Sequence, residues 1–431
     1  MAKGKRDLLD DIIDIQSDWN SLSHAGEDIV SQLAANPEDE VIYNPDDYRE
    51  RPRANSIYCA SAVMRDNHVC SRCVEACPVH AIRIEGNTVC VNDTCMRCGL
   101  CVPACPTEVL QVRGNAPMAL YDKIARIAAA YEQCYITCTQ ALGRMPEANE
   151  VLLPCVGIMA PEIWFNLLCE FPNLSVYLPL GICDECGATS GEEAYSCAIA
   201  DAEEWSGEAV GLEISEADLN REQKRAYKRS QFVSSMTQAG TRLVSRSVPV
   251  LAGAQAVANR LQAHTKQIAS MQHLLDKSVG TTGPHGPRRQ LMRRRRLLMA
   301  GLQRFPDLAD EMRLPFPDVD MGICTSCADC AKACTIHALQ LDETGRVIVE
   351  RAFCVNCGAC ARVCTQNAIQ MTEYTCEELV VPDEETQKRA RAKARAAMMR
   401  KQGKKTLESG LDMLEGLANN PTTSNKGTKK K

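Results

Sequence analysis

The chain has 431 residues, a formal net charge of −6, 45% hydrophobic residues and only 4% aromatics. That is more chain than one ordinary domain holds and too few large rings for one big core, so roughly two to four units are expected. The outstanding compositional fact is 25 cysteines, which serve disulfides, metals or redox cofactors.

In chain order, the opening MAKGKRDLLDDIIDIQSDWN has no apolar stretch of signal-peptide length and no twin arginine. No window approaches the ~18 uninterrupted apolar residues of a membrane span. The reading is a cytoplasmic protein, where a reducing environment keeps thiols free and dense cysteine argues for metal over disulfide. Residues 1–56 read as an N-terminal extension. Residues 57–116 hold a first cysteine window: Cys59 in YCASAVMRDNHVC, then Cys70, Cys73 and Cys77, then Cys95, Cys98, Cys101 and Cys105. Within it RIEGNTVCV reads as a hairpin.

Residues 117–205 read as a small α/β domain, with a helix over 118–142, strands at EVLLPCVGI (150–158) and LSVYLPL (174–180), and a helix at about 161–171 between them. Cys134 and Cys138 fall one turn apart on the first predicted helix and share a face. Cys155 ends one strand, and Cys183 and Cys186 follow the next. Adjacent parallel strands deliver their ends to one edge, where ligands bind. Cys134, Cys138, Cys155, Cys183 and Cys186 are therefore candidate metal-ligating residues, with a redox dithiol at Cys183 and Cys186 as another reading. Cys169 and Cys197 read as packed thiols.

Residues 206–304 read as a helical region with a linker: two helices over 215–278 broken near Pro249, Ser215 and Asp218 as a capping box, and VGTTGPHGP (279–287) as the linker. RRQLMRRRR (288–296) reads as solvated helix faces or as a docking patch for an acidic redox partner. Nucleic acid would suit the charge but finds no aromatic platform. Residues 305–378 hold the second cysteine window: Cys324, Cys327, Cys330 and Cys334, the hairpin QLDETGRVIVE, then Cys354, Cys357, Cys360 and Cys364. The tail from 379 to 431 is basic, then Asn-, Thr- and Lys-rich, and is expected to fray.

The two windows are an internal repeat, with VHAI (79–82) answering IHAL (336–339). A C-x-x-C-x-x-C-x-x-x-C run closes three thiolates round one iron–sulfur cube and sends its fourth to the neighbouring cube. A tetrahedral zinc has no use for the third cysteine of such a run. The second window yields Cys324, Cys327, Cys330 and Cys364 for one site and Cys354, Cys357, Cys360 and Cys334 for the other. The first yields Cys95, Cys98, Cys101 and Cys77. Its remaining site has Asn67 where a cysteine would stand. Cys59 joining Cys70, Cys73 and Cys105 is the favoured completion; Cys90, or a three-iron cluster with an open corner, are the others. His80 and His337 occupy matching places beside the runs and read as packing residues.

Both windows resemble bacterial-type dicluster 4Fe–4S ferredoxins, and Cys77-Pro78 and Cys105-Pro106 match that family's closing Cys-Pro. Thr335 and Thr365 depart from it, adding a hydroxyl and a backbone N–H and implying a more polar surround. The resemblance implies about four [4Fe–4S] clusters. The middle region is similar to the delta-subunit domain of methyl-viologen-reducing hydrogenases, through the strand–Cys-x-Gly element at Cys155 and the Gly-x-Cys…Cys-Gly element at Cys183 and Cys186. The cysteine spacings differ. That similarity implies one further Fe–S cluster on the five middle cysteines.

No nucleotide loop or hydrolase elbow is present. The fold expected is α+β multidomain: two ferredoxin-like modules flanking a small α/β domain and a helical region. The function expected is that of an electron-transfer subunit of a larger cytoplasmic oxidoreductase, partnered by a flavin- or metal-containing subunit. A self-contained reductase using the middle cysteines, and a cluster-based regulatory or assembly protein, are the alternatives.

Overall fold

The computed structural model describes residues 43–65, 69–220, 275 and 288–381. The predicted helices over 215–278 fall almost entirely outside the described residues, as do the 279–287 linker, most of the N-terminal extension and the tail beyond 381.

The first cysteine window folds round a small core of its own. Helix α1 (Ala60–Met64) precedes single turns at Arg72–Glu75 and Cys101–Ala104. Strands β1 (Ile82–Glu85) and β2 (Thr88–Val91) form the expected antiparallel hairpin. Its pattern is that of a half-buried strand, with Ile82 and Ile84 inside and Arg83 and Glu85 outside. Arg53–Ala54 pairs with Leu110–Gln111 and ties the window's two ends together. Ala81, Ile82, Val89, Val109 and Leu110 pack against Cys73, Cys77, Cys101 and Cys105 in one buried cluster.

Helix α2 (Pro117–Ala130) starts on Pro117, whose missing N–H costs nothing at a first turn, and buries Leu120, Tyr121, Ile124, Ala125 and Ala128 along one stripe. It stops short of the predicted end at 142. Cys134–Cys138 is instead a strand, β3, with all five residues buried. A short apolar run buried on both faces has no period that separates strand from helix, and here tertiary pairing decides. Strand β4 (Glu150–Leu153), helix α3 (Pro161–Glu170), strand β5 (Leu174–Tyr177), helix α4 (Gly191–Ser206) and strand β6 (Gly211–Glu213) follow. The four strands form one parallel sheet in the order β4-β3-β5-β6. Ser215 caps only a single turn, its hydroxyl accepting from the Ala217 N–H at 3.3 Å.

The arginine-rich segment differs most from its sequence reading. Arg293–Arg304 is a helix, α5, with Leu297, Leu298, Met299, Ala300 and Leu302 buried, and Arg289, Arg294 and Arg295 are themselves buried. These side chains are therefore neither solvated nor a docking patch. The Arg294 guanidinium donates to the carbonyls of Pro103, at 2.8 Å, and of Cys105, while its backbone N–H donates to Glu108 Oε1 at 2.7 Å. Arg295 donates to Asn356 Oδ1 at 3.1 Å and lies over the Phe316 ring. On the remaining side, Asn166 of α3 donates to the Leu297 carbonyl at 3.2 Å. Gly301 allows the crossing: a Cβ there would stand 2.8 Å from Phe165 and 2.7 Å from Asn166. One helix thus touches both cysteine windows and the parallel sheet's helices.

The second window begins with β7 (Arg313–Val319) and continues through α6 (Asp329–Ala333), the hairpin β8 (Leu339–Leu341) and β9 (Val347–Val349), α7 (Ala359–Val363) and β10 (Ile369–Thr375). β7 and β10 pair antiparallel along their full length. One hydrophobic core runs from α2 through the sheet, α3 and α5 into this window.

Glu108 is buried, and burial holds its carboxyl above the usual range against the opposing pull of Arg294. Removing the buried Arg294 guanidinium would take away both that compensating charge and the donors to the Pro103 and Cys105 carbonyls, at a cost of about 3–5 kcal/mol. Arg294→Leu is therefore expected to lower the unfolding free energy by about that amount in denaturant titrations, and Arg293→Leu, at an exposed position, by about 0.5 kcal/mol or less.

Candidate functional site

The sixteen window cysteines gather into four rings. Cys77 lines a pocket with Cys95, Cys98 and Cys101. Cys59, Cys70, Cys73 and Cys105 line a second one together. In the later window Cys334 lies beside Cys354 and Cys357, with Cys360 facing all three. Cys330 faces Cys327, Cys324 and Cys364. Cys59, and not Cys90, stands with Cys70, Cys73 and Cys105; Cys90 is exposed on β2 opposite Arg83.

The backbone repeats more faithfully than the side chains. In three runs the residues flanking the middle cysteine are left-handed: Arg97 and Gly99, Ser326 and Ala328, Asn356 and Gly358. Alternating left-handed residues turn successive N–H groups inward, the arrangement of an anion-binding nest. The residue three after each closing cysteine is left-handed too: His80, Glu108, His337 and Asn367. That turn aims an N–H at the closing sulfur. Ala81 donates to Cys77 Sγ at 3.2 Å, Val109 to Cys105 at 3.4 Å, Leu339 to Cys334 at 3.5 Å and Ala368 to Cys364 at 3.3 Å. His80 and His337 serve this turn geometry, and no sequence period announces it.

The donor set fits iron–sulfur clusters. Burial, then the thiols of Cys105, Cys59 and Cys70, pushes Cys73 up to about 12. Burial likewise pushes Cys334 up to about 12, with Cys357 and Cys354 adding to it. Four thiolates in one ring therefore need compensating positive charge, which iron supplies as the protons leave. The N–H groups on the sulfurs are the contacts that orient and tune such a group. Among the described residues no group of three or more His, Cys, Asp or Glu is placed to hold a single metal ion.

The ring of Cys59 is irregular. Ser71 is not left-handed (φ −124°), so its run does not close on itself as the others do. Cys59 instead caps α1, and the Ser61 hydroxyl of that helix both donates to the Cys70 carbonyl and accepts from its N–H, each at 2.8 Å. Ser61 carries no sequence signal of this role.

In the middle region four thiols meet, not five. Cys138 ends β3, Cys155 follows β4, and Cys183 and Cys186 follow β5. Strand order reverses about β3, which is where open parallel sheets form ligand crevices. Burial, then neighbours including Cys138 and Cys186, pushes Cys155 up to about 12. Burial, Cys138, Glu192, Cys186 and Asp184 push Cys183 up to about 11. The Ala188 N–H approaches Cys186 Sγ at 3.5 Å. Cys134 is left out: in a strand, four residues span about 13 Å rather than one helical turn, which puts it at the far end of β3, buried and raised by burial alone. Cys197, expected to be packed, is exposed on α4.

The rings are neighbours. Cys98 stands close enough to act on Cys155, and Cys70 on Cys357. Cys101 feels Cys98, Cys95 and Cys77 and also Cys73 of the next ring.

Residues 68–117 match a family model described as a 4Fe-4S dicluster domain, and residues 323–369 match a second model of the same description. No curated protein matches the chain, and no solved structure does.

A Cβ at Gly99 would lie 2.4 Å from Ile158 Cδ1 at φ +82°, whereas at Gly358 it would meet only the tip of Arg362 at 3.1 Å. Ala328 occupies the corresponding place at φ +67°. Gly99→Ala is expected to cost about 2–4 kcal/mol, strain plus overpacking, and Gly358→Ala about 1–2 kcal/mol; thermal unfolding of the two variants checks the difference.

Proposed function

We propose, of a chain that carries two 4Fe–4S dicluster domains and is accordingly an iron–sulfur electron-transfer protein, that it serves as the electron-transfer subunit of a larger oxidoreductase. One observation carries this reading: all four rings combine four cysteines with an N–H aimed at a closing sulfur. Cys77, Cys95, Cys98 and Cys101 would hold one [4Fe–4S] cluster; Cys59, Cys70, Cys73 and Cys105 the second; Cys334, Cys354, Cys357 and Cys360 the third; Cys324, Cys327, Cys330 and Cys364 the fourth. Bound there, such clusters supply one-electron redox chemistry, while the terminal reaction belongs to a partner.

The residues themselves do three things. Short runs fix the thiols. Inward N–H groups balance sulfur charge and set the potential. Apolar side chains such as Leu110, Ile336 and Phe353 keep water away.

Cys138, Cys155, Cys183 and Cys186 are proposed as ligands of a further iron–sulfur group at the sheet edge. The nearness of Cys155 to Cys98 supports its use as one terminus. At the other end Cys327 is exposed, with Ile323 half-exposed beside it, which suits approach by a redox partner protein. No helix among the described residues is long and apolar enough to cross a membrane.

Anaerobically purified protein is expected to contain about sixteen iron and sixteen acid-labile sulfide per chain, with about two to four more of each if the middle thiols are loaded. Stoichiometric zinc with little iron would sink the proposal. Cys59→Ser is expected to remove about four iron or leave a three-iron EPR signal, and Cys90→Ser to change neither.

A further inference from the structure

The Cys59 ring is the one that its own run does not close, and two of its contacts come from the other end of the sequence. The Thr335 hydroxyl donates to the Tyr58 carbonyl at 2.8 Å. Tyr58 immediately precedes Cys59. The Arg362 Nε–H donates to the carbonyl of Val69, which immediately precedes Cys70, and its Nη2 donates to the Cys357 carbonyl at 2.8 Å. Between these two contacts Ala60 and Val69 of the first module pack against Ala333 and Ala359 of the second in a separate buried seam.

Thr335 stands where the first module has Pro78 and Pro106. Proline has no donor to offer at that place. Thr335 is buried, whereas Thr365, its counterpart in the second run, is exposed. The polar character expected around the second module's sites is therefore directed, at Thr335, to the first module's irregular ring.

We propose that Thr335 and Arg362 are positioning residues for the Cys59, Cys70, Cys73 and Cys105 ring, so that the second module completes a cluster site of the first. This rests on the reading that the ring holds a [4Fe–4S] cluster. Arg362 lines the same pocket as the ring's thiols, and both residues give their hydrogen bonds to backbone carbonyls rather than to sulfur. They act by fixing the two backbone segments that bear Cys59 and Cys70, which a C-x-x-C-x-x-C run would have fixed by itself. A partly buried hydrogen bond of this kind is the means by which a supporting shell holds a ligand in place.

The test uses the full-length protein, loaded anaerobically, with iron, acid-labile sulfide and low-temperature EPR of the reduced form as readouts. Thr335→Val combined with Arg362→Met is expected to lower iron and sulfide by about one quarter, the share of one cubane in four. The EPR component that disappears should be the one lost in Cys59→Ser. Thr335→Ser keeps the donor and is expected to retain the wild-type content, as is Thr365→Val. A double variant with full iron and an unchanged spectrum overturns the proposal. So does iron lost in parallel from every site, which marks general unfolding, and so does loss of a component other than the Cys59 one. Wild-type protein lacking cubane iron would instead sink the underlying reading, a result visible before any variant is made.

Discussion

Sulfur wants charge around it, and the fold is arranged to supply it. Each ring crowds four thiols that burial alone would keep protonated. What makes the crowding tolerable is backbone: N–H groups turned inward by left-handed residues, several of them not glycine. Arg97, Ser326, Ala328 and Asn356 all sit where an L side chain is strained, at about 1–2 kcal/mol each. That strain persists at four places in two modules because the runs leave too few residues between cysteines for any relaxed path. Everything outside the loops, from the hairpins to the seam between modules, keeps these strained turns in register.

The modules are joined by the same currency of backbone and charge, used in reverse. Helix α5 carries buried guanidinium groups that reach the cysteine loops, Arg294 at backbone carbonyls and Arg295 at the Asn356 side chain. Arg294 draws the Pro103 and Cys105 carbonyls toward itself. An arginine in the core is costly unless its donors find acceptors; loop carbonyls supply two for Arg294, while its Nε finds none among the described residues. The first module keeps a core of its own, whereas the second shares one with the parallel sheet.

The cysteine spacings made the rings legible, because thiol number and spacing are themselves the chemistry. The hairpins were legible from alternation, as at Ile82 and Ile84. Three features were not. Charge composition places arginine at the surface by default, and nothing local in RRQLMRRRR says that loop carbonyls will meet it. Cys134–Cys138 has β-branched and apolar residues enough for either helix or strand, and only pairing with β4 and β5 decides. The brace made by Ser61 and the bond from Thr335 to Tyr58 join residues whose partners cannot be read from spacing, the second of them across 277 positions. Both surround the one ring whose sequence pattern was broken, so the irregularity itself was the signal.

The crossing of α3 and α5 has a consequence for how the protein comes into being. Phe165 and Asn166 are made more than a hundred residues before Gly301 and Leu297, which cover them. A ribosome therefore releases the first module and the sheet before α5 exists to cover this part of the α3 face. Metal loaded during synthesis would meet a half-dressed protein, its earliest thiols ready while the later half that buttresses them is still unmade. A cell producing this chain has reason to delay cofactor delivery until translation ends, or to shield that face in the meantime.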